Sequence, residues 1–264
     1  MSISLFAGCS YTAGIGFDLL KSEPNLWVNL LHANNNLLKN TTLLNISVGG
    51  RSNAGIFQDV IDALLTHNDI QYVFVNWTSM PRYEMSVGLE LYPTRQVFIP
   101  GTKLINHNLN DKTYTVKYLT KINDRFTSLA NEHYEIINLV HYTNLIVKLC
   151  EIKNCQVFFI NSLCPWDDKY FTKINNVLHI YYTTFTKDLL PVNSRDDEEI
   201  FKLYNMVHND YDTVGGIHED LWLNLYTSMR SMLVDTNNDG MHPGPTSNHI
   251  YYRHFSKSLE SVLQ

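Results

Sequence analysis

Four short apolar runs, separated by stretches of helical periodicity, constrain the fold more than any other feature of the sequence. They lie at 2–7 (SISLFA), 42–47 (TLLNIS), 71–77 (QYVFVNW) and 155–161 (CQVFFIN). Their apolar character is continuous, as is typical of strands that are buried on both faces of a parallel sheet. We therefore predict an α/β fold: a three-layer α/β/α sandwich with a mostly parallel sheet.

Helical patterns and turn signals place the remaining elements. Apolar periodicity predicts helices near 25–33 and around 127–153, and a further helix that Ser52 caps. We expect Thr246 to cap the last helix. The stretch 85–120 alternates between apolar and polar residues and carries turn residues, so it predicts an inserted β-hairpin or lid.

Composition favours one domain and excludes some partners. The 264 residues are 44% hydrophobic, enough for a large core, and no linker or low-complexity run divides them, so we predict a single domain over 1–264. The formal net charge of −6 argues against a nucleic-acid or anionic-membrane partner. No spacing predicts a metal site, and we expect no cofactor.

The cysteines and the N-terminus bear on location. The four cysteines lack CxxC pairing or zinc-like spacing, and we expect buried free thiols in a reducing compartment. The N-terminus has no basic region before its short apolar run, and no stretch is long enough to span a membrane. We therefore expect a cytoplasmic protein or, for a viral chain, one of the host cytoplasm or the virion. The cysteines are Cys9, Cys150, Cys155 and Cys164.

Ser10 follows the first predicted strand, within the segment GCSYTAG at 8–14. A serine on a tight turn at the carboxyl end of a strand can present both its hydroxyl and its backbone N–H to a ligand. A serine at this position can also cap the next helix, and the segment taken alone favours that structural role. The interpretation as a nucleophile stays open.

Asp239 stands three residues before His242 in a loop near the C-terminus. An aspartate at this spacing can hold the imidazole so that its second nitrogen takes a proton from a serine. The run DTNNDG at 235–240 also fits the opening of a calcium-binding loop. That pattern fails at its twelfth position, where Thr246 replaces the bidentate glutamate.

Together with Gly50 in NISVGG and the polar turn after the third strand, these motifs resemble blocks I, II, III and V of the SGNH (GDSL-like) hydrolases, in order. Most of 85–232 matches nothing specific. The resemblance implies Ser10 as nucleophile, His242 as general base and then acid, and Asp239 as the residue that orients His242. It also implies an oxyanion hole formed by the backbone N–H groups of Ser10 and Gly50 with a side chain from block III.

Two departures from the family pattern affect this site. Cys9 stands where the family usually has aspartate, and Cys9 as the nucleophile is an alternative. Block III usually reads G-x-N-D, whereas this chain has VNWTS at 75–79. Matching the asparagine makes Asn76 the oxyanion donor, and matching the spacing makes Thr78 the donor. The alternation of the strand leaves the choice open.

The segment W-T-S-x-x-R-x-E resembles a block III variant found in SGNH-like proteins of tailed phages. Arg82 and Glu84 form a buried ion pair or contact substrate, the structural role being favoured. Trp77 is a core residue or lines the site.

The predicted activity is that of a serine esterase or deacetylase acting on a small-molecule or carbohydrate acyl ester. Transfer to an acceptor other than water stays open. The alternative is a binding or structural module that has lost catalysis, such as a viral accessory or virion protein. The missing Asp of block I and the altered block III motivate this alternative.

Overall fold

A parallel sheet of four strands forms the centre of the fold. The strands are β1 (Ile3–Gly8), β2 (Thr42–Asn45), β3 (Ile70–Trp77) and β6 (Gln156–Asn161), in the order β2-β1-β3-β6. This confirms the parallel sheet that the four apolar runs predicted. The computed structural model describes residues 2–78, 82–87, 94–98, 121, 124, 132–163, 219–224 and 227–262.

Helices cover both faces of this sheet, as predicted for a three-layer sandwich. One face packs against α2 and α5, and the other against α3 and α4. A one-turn helix, α1, follows β1 directly. The described helices are α1 (Ser10–Ala13), α2 (Trp27–Asn34), α3 (Asn53–Thr66), α4 (Glu132–Lys153) and α5 (Pro245–Val262).

The central strand β1 shows why its run is apolar at all but one of its side chains, Ser4, whose buried hydroxyl is hydrogen-bonded to Thr41. Leu5 faces the α3 and α4 side, whereas Phe6 faces the α2 and α5 side. The ring of Phe6 stacks on Phe74 at 4.4 Å between centroids and meets Trp27 edge-on at 5.9 Å. Because successive side chains point to opposite faces and both faces are covered, no position in the strand interior favours a polar residue exposed to water.

The predicted insertion contains a β-hairpin. Strand β4 (Tyr83–Val87) pairs antiparallel with β5 (Thr94–Phe98), which confirms the hairpin within the predicted stretch. Residues 88–93 and 99–120 of that stretch lie outside the described residues. The role of a lid therefore stays a prediction.

Two predicted helix caps have different outcomes. The Ser52 hydroxyl accepts a hydrogen bond from Gly55 N at 3.1 Å, which confirms the cap of α3. The prediction for Thr246 is wrong, because Thr246 lies inside α5 and Asp235 caps that helix. The Asp235 carboxylate accepts from Thr246 N at 2.9 Å and Ser247 N at 2.6 Å. Burial would raise the pKa of Asp235, but a hydrogen bond from the Ser247 hydroxyl and these two backbone hydrogen bonds outweigh it and lower the pKa.

Three cysteines fall within the described residues, and all three are free thiols. Cys9 and Cys150 are buried as predicted, Cys155 is partly exposed, and Cys164 lies outside the described part. No described helix is long and apolar enough to cross a membrane.

Replacing Asp235 with alanine should lower the free energy of unfolding by about 1–3 kcal/mol, because two N–H groups at the start of α5 lose their acceptor. Urea unfolding at neutral pH measures this. The difference from wild type should shrink as the pH falls below the aspartate range, because protonation removes the charge in the wild type. Asp62→Ala, on the exposed face of α3, is the matched control, and an equal loss there would contradict the capping role.

Candidate active site

The carboxyl ends of β1, β2 and β3 meet at one edge of the sheet. Gly8 at the end of β1 pairs with Asn76 near the end of β3, and Val48 N, beyond β2, donates to Gly8 O at 3.1 Å. Ligands of parallel sheets bind at this edge. The segments that follow these strands carry Ser10, Gly50 and Thr78.

Ser10 is the first residue of α1. Cys9 precedes it in an extended conformation, and the Cys9 carbonyl accepts from Ala13 N at 3.0 Å. The helix ends after one turn at Gly14, whose φ of 73° lies in the left-handed region that favours glycine. The first N–H groups of a helix have no partner within it, so the N–H of Ser10 is not used by α1.

Asp239 and His242 form a hydrogen-bonded pair. Asp239 Oδ2 lies 2.6 Å from His242 Nδ1, and Asp239 Oδ1 accepts from the backbone N–H groups of Met241 and His242, each at 2.9 Å. Burial would raise the pKa of Asp239, but the two backbone hydrogen bonds and the imidazole outweigh it and lower the pKa to about 2. An ionised carboxylate at Nδ1 keeps the proton on that nitrogen and leaves Nε2 as the acceptor.

The loop that contains this pair contacts the loop that follows Ser10. The ring of Tyr11 meets the ring of His242 edge-on, with 6.1 Å between centroids. Gly16 has a φ of 94°, and a Cβ there would lie 2.9 Å from Asp239 Oδ2. The hydrogen bonds of the described residues include none between Ser10 and His242. Such bonds are often long in free enzymes and shorten when substrate binds.

Asn76 lies in a buried polar cluster beneath this edge. Its Nδ2 donates to Thr12 Oγ1 at 2.6 Å and lies 3.2 Å from Met229 Sδ, and its Oδ1 accepts from Ser162 Oγ at 2.5 Å. Its side chain is 1% exposed. The amide of Asn76 therefore has partners on both its nitrogen and its oxygen in the interior.

Thr78 follows β3 and is held by the start of α3. Its N–H donates to Asn53 Oδ1 at 2.8 Å, and Asn53 Nδ2 donates to Thr78 O at 3.4 Å. The Thr78 hydroxyl is buried and has no hydrogen-bond partner among the described residues. Asn53 is not among the predicted site residues, although a polar residue directly after the Ser52 cap was an available signal.

Arg82, Glu84 and Trp77, for which substrate contact was one of two predicted roles, contact other residues of the protein. Arg82 Nη1 donates to the Arg51 carbonyl at 3.3 Å, and Glu84 Oε2 pairs with Arg51 Nη1 at 2.7 Å. Among the described residues Glu84 pairs with Arg51 and Arg82 binds a backbone carbonyl, so the predicted pairing of Arg82 with Glu84 is wrong, because Arg51 occupies the carboxylate of Glu84. Trp77 is 1% exposed and stacks on Phe159 at 6.2 Å, so it packs in the core.

Two clefts of about 330 Å³ each lie in the described part of the chain, and neither is lined by Ser10, Asp239 or His242. One includes Cys150 and Cys155, and the other includes Ser52, Arg82 and Glu84. Within the described ranges, no group of three or more His, Cys, Asp or Glu side chains is placed to hold a metal ion.

No protein-family model and no curated protein matches the sequence. Three similar solved structures each share 13% identity with this chain. They are TesA (TM-score 0.49, 99% of both chains), the psychrotrophic esterase EstA from Pseudoalteromonas sp. inhibited by monoethylphosphonate (0.44, 100% of this chain and 99% of that one), and a lipolytic protein of the G-D-S-L family from Veillonella parvula (0.42, 99% and 98%). TM-scores under 0.5 denote partial backbone agreement, so the fold assignment rests on the strand order and layers described above.

Replacing Asn76 with alanine should lower the free energy of unfolding by about 2–4 kcal/mol, because the buried hydroxyls of Thr12 and Ser162 lose a partner. Urea unfolding of the purified variant tests this. Asn40→Ala, at an exposed position, should change stability by less than about 0.5 kcal/mol. Wild-type stability of Asn76→Ala would show that the amide is free for another role.

Proposed function

We propose that this protein is a serine hydrolase of the esterase type that forms an acyl-enzyme on Ser10. The observation that carries the proposal is the hydrogen-bonded pair of Asp239 and His242, which contacts the turn that holds Ser10. In the first step, Ser10 Oγ attacks the acyl carbonyl while His242 Nε2 takes the hydroxyl proton. His242 then gives that proton to the leaving alcohol, and an activated water releases the acid and restores Ser10.

The proposed oxyanion hole consists of the backbone N–H groups of Ser10 and Gly50 and the Thr78 hydroxyl. Gly50 has a φ of 76°, a conformation that favours glycine in the loop after β2. Thr78 is preferred to Asn76 because the Asn76 amide already has interior partners, whereas the Thr78 hydroxyl has none among the described residues. One such donor typically supplies about 3–4 kcal/mol of transition-state stabilisation.

The proposed substrate is a small-molecule or carbohydrate acyl ester. Ser10, His242 and Asp239 would carry out acyl transfer from such an ester without a cofactor. The three free thiols support a reducing compartment such as the cytoplasm. The two core clusters, which pack on opposite faces of the same sheet, support a single domain.

Replacing Ser10 with alanine should abolish labelling by a fluorophosphonate probe and lower kcat for short-chain p-nitrophenyl esters by about 10³-fold or more, because the nucleophile is lost. Circular dichroism and urea unfolding check that the variant is folded. Ser22→Ala, an exposed serine in the turn Leu20–Ser22, is the matched control and should label as the wild type does.

A binding module without catalysis is the second candidate, favoured by the lack of a hydrogen bond between Ser10 and His242 in the described part. The same experiment separates the two. A folded wild type that neither labels nor turns over ester would support the module. Retained ester turnover in Ser10→Ala would move the nucleophile elsewhere, with Cys9 the first residue to test.

Replacing Thr78 with valine should lower kcat by about 10²- to 10³-fold and leave stability unchanged or raised. The variant removes one oxyanion donor, and it replaces a buried hydroxyl that has no described partner by a methyl group of similar shape. Ester turnover and urea unfolding measure the two effects. Thr66→Val, at the exposed end of α3, is the control, and unchanged kcat in Thr78→Val would exclude the Thr78 hydroxyl as a donor.

A further inference from the structure

A buried ion cluster adjoins the loop at 49–53, which we call the Gly50 loop. The Arg51 side chain is 5% exposed. Its Nε donates to Asp59 Oδ2 at 2.6 Å, its Nη2 pairs with Asp59 Oδ1, and its Nη1 donates to Glu84 Oε2 at 2.7 Å. The planar guanidinium can bind two carboxylates at once in a fixed geometry, which a lysine cannot do.

Glu84 also binds the backbone of the loop. Its Oε1 accepts a hydrogen bond from Ser52 N, two residues after Gly50. Beside it, Arg82 Nη1 donates to the Arg51 carbonyl at 3.3 Å. The start of the inserted hairpin therefore contacts two consecutive residues of the loop, through a backbone N–H and a backbone carbonyl.

Gly55 provides the space for these contacts. A Cβ at Gly55 would lie 2.6 Å from Glu84 Oε1 and 2.8 Å from the Arg51 guanidinium carbon, closer than side chains approach in proteins. From the other side, Asn53 binds the backbone of Thr78. The Gly50 loop is thus held at its end by α3 and β3, and at Arg51 and Ser52 by the hairpin.

We propose that Glu84 is a positioning residue for the hydrolysis, an inference that rests on the proposed function. Glu84 and Arg51 hold the Gly50 loop so that the Gly50 N–H meets the developing oxyanion. An oxyanion donor acts only if it is already in place when the charge develops, and a displacement of about 1 Å can cost about 100-fold in rate. The inserted hairpin thereby contributes to catalysis without touching the substrate.

The test compares wild type and Glu84→Gln, at a temperature where urea unfolding shows both to be folded. The glutamine keeps an oxygen for Ser52 N but loses the charge that Arg51 binds. We expect kcat for a p-nitrophenyl ester and the rate of fluorophosphonate labelling to fall about 10- to 100-fold, with KM changed by less than about threefold. Glu151→Gln, which breaks an exposed ion pair with Lys148, is the matched control and should keep wild-type kcat.

A second variant tests whether Glu84 acts through Arg51. If it does, Arg51→Gln and the double variant Arg51→Gln/Glu84→Gln should show nearly the same kcat, because the second substitution removes an interaction that is already lost. Additive losses would overturn this part of the inference. Should Arg51→Gln fail to fold, the single variant Glu84→Gln still decides through kcat and KM.

The outcomes separate this inference from the proposed function. A Glu84→Gln variant that is less stable but keeps wild-type kcat and labelling would overturn the positioning role while the acyl-enzyme on Ser10 stands. A wild type that is not labelled would overturn the proposed function, and the inference with it.

Discussion

The parallel pairing of β1 between β2 and β3 is the constraint on which the candidate site depends. It brings the chain after residue 8, the loop after residue 45 and the residue after Trp77 to one edge of the sheet. These segments are far apart in the sequence. No local interaction could bring them together, so the apolar packing of both sheet faces is what assembles the site.

A buried polar layer supports this edge from below. Asn76 links Thr12 in α1 to Ser162 after β6, and it therefore joins three of the segments that end at the edge. Buried polar groups in a low dielectric are costly unless they are paired, so a fully bonded cluster favours one arrangement of these segments. Asn76 matches the block III asparagine in sequence, but in this structure its side chain belongs to the buried polar layer beneath the edge of the sheet.

The elements that could be predicted from the sequence are those with a local or periodic signal. The four strands, the hairpin, the Ser52 cap and the D-x-x-H spacing all have one. The cap of α5 by Asp235 and the binding of Glu84 to Arg51 have none, because each joins residues at least ten positions apart in the chain. The choice between Asn76 and Thr78 also depends on tertiary contacts, since strand alternation gives only which side chains share a face.

The loop at 235–240 fits the opening of a calcium-binding pattern in sequence, but its aspartates have other partners in the structure. Its first aspartate caps α5, and its last orients His242. Between them, Asn237 Nδ2 donates to the Pro243 carbonyl at 2.8 Å, and Asn237 N donates to the His242 carbonyl at 2.8 Å. In a calcium-binding loop, the carboxylate oxygens at the two aspartate positions would bind the ion. Here those of Asp235 bind N–H groups of α5, and Asp239 binds the His242 imidazole. The same bonds hold His242 between the start of α5 and the Asp239 carboxylate, which is the position that its proposed role as general base needs.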